Sequence, residues 1–208
     1  MRPVQPWKEV YKWTTYYMNA MQNKVMHNSN STASVCVSIA WKPPINGWVC
    51  LNTDGASKDN QVGGCGGLIR ECQGNWCGGF SKKLGNCSAY EVELWGVYEG
   101  LRLAWERGFK KVELRVDSMV VAYTLKNGSK GSVVGWRLVQ QIRRFLELDW
   151  EIKICHSYRE ANKCADALAN IGCQQESTLM IYEHCLAQLS SLLLADVMEI
   201  ATPRLIVV

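Results

Sequence analysis

Trp48-Val49-Cys50-Leu51-Asn52-Thr53-Asp54-Gly55-Ala56 is the stretch on which the reading of this chain turns. Trp48 to Thr53 has the aromatic and β-branched character of a strand, and it runs straight into a carboxylate followed by two small residues. A carboxylate at the end of a buried strand is costly unless charge, hydrogen bonds or a metal offsets its lost solvation. Working outward, three more acids occupy comparable settings: Glu93 in Val92-Glu93-Leu94, Asp117 in Val116-Asp117-Ser118 and Asp166 in Cys164-Ala165-Asp166. Such a set of oxygen donors suits hard divalent cations.

The segments around these acids alternate between two periods. Cys65 to Glu71 reads as a second strand and Trp76 to Lys82 as a third, joined by the turn Gln73-Gly74-Asn75 into an antiparallel meander. A helix follows from about Ser88 to Arg107, with Ser88 as its cap and Glu91, three residues on, completing a capping box. That gives Glu91 a structural task and leaves Glu93 for chemistry. Glu93, Gly96, Val97, Gly100 and Ala104 recur at helical spacing, a stripe whose small members let the helix approach the sheet. Taken alone, Glu93 also reads as a solvated first-turn glutamate favoured by the helix dipole.

Lys111 to Asp117 is a strand, Ser118 to Lys126 a helix, Val133 to Glu147 a further helix, Trp150 to Ser157 a strand and Ala161 to Ile171 the last core helix. The cluster Gly63-Gly64-Cys65-Gly66-Gly67 lacks the Lys-Ser/Thr of a phosphate-binding loop and does not lie between a strand and a helix, so it reads as a site of close backbone packing.

From Trp41 to Cys173 the chain resembles the ribonuclease H family, in particular the ribonuclease H-like domain of plant retrotransposon-derived proteins. The carriers are Trp41-Lys42-Pro43-Pro44, Leu51 to Ala56, Gly66-Gly67-Leu68-Ile69-Arg70, Val92 to Gly96, Arg115-Val116-Asp117-Ser118 and Arg159 to Ala169, in that order. The resemblance implies an α/β ribonuclease H-like fold: a five-stranded mixed sheet, three strands antiparallel and then parallel ones, with helices on both faces. It implies a metal-dependent endonuclease that hydrolyses the RNA strand of RNA/DNA hybrids with two Mg²⁺ ions, Mn²⁺ being a substitute. Two-metal hydrolysis of this kind activates the attacking water at one ion and stabilises the leaving oxygen at the other.

Carried over residue by residue, the resemblance makes Asp54 the bridging metal ligand, with Glu93 and Asp117 completing one ion's shell and Asp166 the other's. His156, ten residues before Asp166, falls at the family's position for a histidine that assists proton transfer or product release. Asn60, Ser118 and Asn162 match positions at or near the hybrid. The chain departs from the bacterial pattern where Ala89 and Tyr90 replace asparagines and Met119 replaces a glutamine. The basic protrusion is also reduced to a short connection around Lys126, Gly128, Lys130 and Gly131. These departures imply weak hybrid affinity and support a rival reading, a catalytically inactive nucleic-acid-binding domain derived from a retrotransposon. A 3′ to 5′ exonuclease is disfavoured, because Asp54 is followed by Gly-Ala and not by the Asp-x-Glu pair of that class.

The rest of the sequence bounds these expectations. The 208 residues, 48% hydrophobic and 20% charged, suit one globular domain with tails, and a net charge of +4 permits a polyanionic partner without requiring one. We divide the chain into an N-terminal appendage and linker (1–40), the ribonuclease H-like domain (41–173) and a C-terminal tail (174–208). The appendage reads as helical from Trp7 to Met26, and the tail as an amphipathic helix over Leu179 to Leu194. Ten cysteines without a C-x-x-C pair or a zinc-finger Cys/His set read as free thiols. With no secretory signal and no run of roughly 20 apolar residues, the expectation is an intracellular monomer of nucleus or cytoplasm, with no membrane contact and no small-molecule cofactor.

Overall fold

A computed structural model describes residues 34–58, 62–127 and 135–207. The reading of Trp7 to Met26 as a helix and the placement of Asn60 lie outside the described residues.

In chain order the elements are β1 (Ser34–Ile39), β2 (Val49–Lys58), β3 (Val62–Arg70), β4 (Trp76–Gly85), α1 (Ala89–Glu106), β5 (Lys111–Val116), α2 (Met119–Asn127), α3 (Trp136–Leu146), β6 (Glu151–His156), α4 (Lys163–Gln174), β7 (Leu179–Tyr182), α5 (Ser190–Val197) and β8 (Thr202–Val207). Local chemistry fixes several boundaries. Ser88 caps α1 through a full capping box with Glu91. The β3–β4 turn closes through the Gly74 N–H to the Glu71 carbonyl at 2.9 Å, with Gly74 at φ +83°, a conformation that glycine adopts without a Cβ penalty.

The main sheet has the order β6-β5-β2-β3-β4-β7. β5 and β6 run parallel to β2, whereas β3, β4 and β7 follow in antiparallel pairs. On one face α1 to α3 pack over Leu51, Ile69, Phe80, Val112 and Leu114; on the other, α4 and the C-terminal segment pack over Leu68. Leu68 and Ile69 are adjacent yet both fully buried, because successive strand residues face opposite sides. The sheet centre is therefore covered twice, the α/β architecture with helices on both faces. The glycines of β3 serve that packing: a Cβ on Gly66 would collide with the α4 backbone at Leu168 and Ala169.

The sheet carries six strands rather than the expected five. Leu179–Tyr182 is a strand, paired antiparallel with Gly79–Lys82, and helix begins only with a 3-10 turn at Ala187–Leu189 that leads into α5 at Ser190. Without it β4 would be an edge with an unpaired row of backbone groups; β7 covers that edge. A second, two-stranded sheet joins β1 to β8, with Ser34 opposite Val207 and Ile39 opposite Thr202. No described helix is long and apolar enough to cross a membrane. Cysteines Cys50, Cys65 and Cys164 sit in the core as thiols, where burial pushes Cys50 up to about 11 and Cys164 up to about 12.

Candidate active site

Parallel strands end on the same side of a sheet, so the pairing of Thr53 with Val116 brings the residues that follow, Asp54 and Asp117, to one edge. Helix α1 supplies Glu93, its fifth residue, to the same place. This requires close approach of helix to strand: a Cβ on Gly55 would lie 2.5 Å from the Glu93 backbone nitrogen, and one on Gly96 would lie 2.9 Å from the Asp54 carbonyl oxygen. Only glycine at both positions seats α1 deeply enough. As a result, one ligand oxygen each from Asp54, Glu93 and Asp117 lies within 4.8 Å of the others. Asp166, in the first turn of α4, stands outside this trio but is near enough for its charge to act on Asp54.

The trio is electrostatically under-compensated, with Arg159 offsetting part of its charge through Asp117. Asp54 is 1% exposed, and its carboxyl is pushed up to about 8, first by burial and then by the charges of Asp117 and Asp166. Only the Gly55 N–H, donating to Asp54 Oδ1 at 2.8 Å, and the Arg159 guanidinium pull it down. Glu93 is likewise held well above the usual carboxylate range by burial, by Asp54 and by Asp117. Glu93 Oε2 and Asp117 Oδ1 are buried without a hydrogen-bond partner. Such orphaned oxygens are rare in a folded protein and call for an explanation. Hard oxygen donors clustered this tightly fit a divalent cation of the Mg²⁺ class.

The other expected residues take varied positions. The His156 Nε2 lies 3.1 Å from the backbone carbonyl oxygen of Asp117, and the ring meets Tyr158 edge-to-face at 5.6 Å between centroids. Ser118 sits at the start of α2, where its hydroxyl accepts from the Val121 N–H at 3.4 Å. Asn162 is 1% exposed and faces inward: its Nδ2 donates to the Thr53 carbonyl and its Oδ1 accepts from Asn52 Nδ2, both at 3.0 Å. This amide, matched in the sequence to a position near the hybrid, ties the residue before α4 to the middle of β2.

Sequence reasoning gave no role to Arg159 or Asn52. Arg159 places Nε 3.5 Å from Asp117 Oδ2 while its side chain remains 73% exposed. The available signal was its position in the connection that brings Asp166 to the site. Asn52 gave none, since its partners are far away in sequence.

The fold and the acid cluster together define a ribonuclease H-like domain. The chain belongs to the reverse transcriptase-like family, whose model matches residues 52–172. It is 45% identical over 167 residues to a protein of Arabidopsis thaliana named as a ribonuclease H protein. That match covers 80% of this chain but 27% of the relative, so the chain spans about a quarter of the curated relative's length. Among solved structures, RNase H1 of the halophilic archaeon Halobacterium salinarum is 26% identical with a TM-score of 0.56, covering 60% of this chain and 96% of the archaeal one. The N-terminal RNase H domain of a Mycobacterium tuberculosis protein, at 22% identity and TM-score 0.58, covers 61% of this chain and 94% of its own. An RNase H1 isolated from compost, solved with an RNA/DNA hybrid, gives 22%, 0.56, 61% and 96% in the same order.

Proposed function

We propose that this chain is a divalent-metal-dependent endonuclease that hydrolyses the RNA strand of an RNA/DNA hybrid. The observation that carries this reading is the trio of buried Asp54 and half-buried Glu93 and Asp117, with Glu93 Oε2 and Asp117 Oδ1 lacking a partner, in a ribonuclease H-like fold. The hybrid bound by the compost enzyme supports the substrate class.

Asp54, Glu93 and Asp117, with Asp166 beside them, would hold Mg²⁺, or Mn²⁺ in its place. Divalent ions at these oxygens would supply the charge that activates an attacking water and stabilises the leaving oxygen of a phosphodiester. The protein's own part is orientation and charge. Gly55 fixes the rotation of the Asp54 carboxylate by its N–H. Asp54 and Glu93, held toward their protonated forms by burial and mutual repulsion, would have to give up those protons to act as ligands, so metal occupancy should rise with pH. His156 sits beside the Asp117 backbone, at the edge of the acid cluster. Arg159 presents an exposed guanidinium next to the acids, suited to a phosphate oxygen of a polyanionic strand.

Cleavage of a labelled RNA/DNA hybrid, beside single-stranded RNA, duplex RNA and duplex DNA, tests the reading with Mg²⁺ and with chelator. The expected result is metal-dependent cutting of the hybrid's RNA strand, lost in Asp54→Asn. Hybrid binding without cutting in the parent would overturn it in favour of an inactive binding domain; cutting that persists in Asp54→Asn would remove the acids from the mechanism.

A further inference from the structure

The C-terminal segment contributes a buried charge to the interior behind the acids. Arg70, at the end of β3, is 1% exposed, and its Nη1 donates to Asp196 Oδ2 of α5 at 2.7 Å. Its Nη2 donates to Asn52 Oδ1 at 3.1 Å, and the same oxygen accepts from Trp41 Nε1 at 3.1 Å. Asn52 then passes the connection on: Nδ2 donates to Asn162 Oδ1, and Asn162 Nδ2 donates to the Thr53 carbonyl. The relay terminates at two metal-site acids. Asn52 and Thr53 directly precede Asp54 on β2, and the Asn162 carbonyl accepts the Asp166 N–H at 3.0 Å.

We infer that Asp196 is a positioning residue for the acid site, acting through Arg70, Asn52 and Asn162 to hold Asp54 and Asp166 in mutual register. Arg70 is oriented by Asp196 from one side; its other amino group is thereby aimed at Asn52, whose amide is left with one orientation. Asn52 with its oxygen toward two N–H donors must turn its NH₂ toward Asn162. Reversing the amide would set donors against donors. The segment from 190 onward is then part of the working unit. The inference deepens the metal-dependent reading and rests on it.

Removing Asp196 alone leaves a buried, unpaired guanidinium and tests mainly stability. The informative variant is the double Arg70→Met/Asp196→Leu, which removes both charges and keeps apolar bulk, with Asp196→Leu beside it. Thermal unfolding, Mn²⁺ affinity by calorimetry and steady-state hybrid cleavage are measured on all three proteins. We expect Asp196→Leu to lose thermal stability and the double variant to regain most of it. We also expect the double variant to bind Mn²⁺ about tenfold more weakly than the parent, the scale of outer-shell losses at metal sites, with kcat lowered and KM for hybrid unchanged. A double variant that recovers stability together with parental Mn²⁺ affinity would overturn the inference and leave the pair structural. So would a double variant that does not recover, if Asn52→Leu in the parent background leaves Mn²⁺ affinity intact. A parent that binds Mn²⁺ without cutting hybrid, while the double variant binds it more weakly, would retain the positioning role and discard the nuclease; a parent that does not bind Mn²⁺ would discard both.

Discussion

Asn52 and Asp54 are two positions apart on β2, on the same side of the strand and equally buried. Around Asn52 the charges and amides are matched: Arg70, Trp41 and Asn162 converge on one amide, and Asp196 closes the charge of Arg70, although Arg70 Nε and the neighbouring Thr53 Oγ1 are buried without a partner. Around Asp54 the reverse holds, with like charges facing one another and two carboxylate oxygens left over. Balanced buried charge gives registration, whereas unbalanced buried charge has to be maintained by the rest of the fold and is completed only by something bound. The contrast locates function more sharply than burial or residue type alone.

The contrast can be broken or sharpened by substitution. Asp54→Asn should lower metal-dependent cleavage by at least about a thousandfold, the several kcal/mol that a metal clamp is worth, without unfolding the protein; circular dichroism and hybrid cleavage together decide this. On the balanced side, Arg70→Met should cost about 3–5 kcal/mol in urea unfolding, because Asp196 is left as an uncompensated buried charge. A cost below about 1 kcal/mol would mean that water reaches the pair.

The pH dependence of the metal-free protein separates the two clusters further. A folded-state value of about 8 for Asp54, against an ordinary value of 3.8, means that between these limits the native state retains a proton that the unfolded chain has lost. Stability from this group is therefore full below about pH 4, declines as pH rises and is gone above about pH 8. Glu93 acts in the same direction. In chelator, Tm should fall from pH 5 to pH 8, less steeply in Asp54→Asn, which should also melt a few degrees higher at pH 8, at about 2–4 °C per kcal/mol relieved. A slope identical in parent and variant would show that Asp54 does not titrate in this way. The smallest expected change is that of Arg159→Gln, whose exposed pairing with Asp117 should contribute less than about 1 kcal/mol to unfolding.

Much of this was legible in the sequence. The capping box of Ser88 and Glu91, the glycine turn at Gly74 and the strand pattern before Asp54 are local signals, set by residues within a few positions of one another. They placed Asp54 and Glu93 on the elements that carry them. The strands β7 and β8 were not legible, because Leu179–Tyr182 is four residues long and Thr202–Val207 acquires its pairing from Ser34–Ile39 at the other end of the chain. The inward contacts of Asn162 were hidden for the same reason. Its two partners, Asn52 and Thr53, lie more than a hundred residues away, and no spacing rule announces them.

The pairing of β1 with β8 sets the first and last described residues side by side, Ser34 against Val207. Topologically the folded unit is nearly a ring. Such a unit can hang from a longer polypeptide, or sit inside one, by a single point of attachment, because its entry and exit share one corner. Cutting the ring at an exposed turn and linking residues 34 and 207 by a few glycines should give a permuted chain that still folds, with its new ends wherever the cut is made.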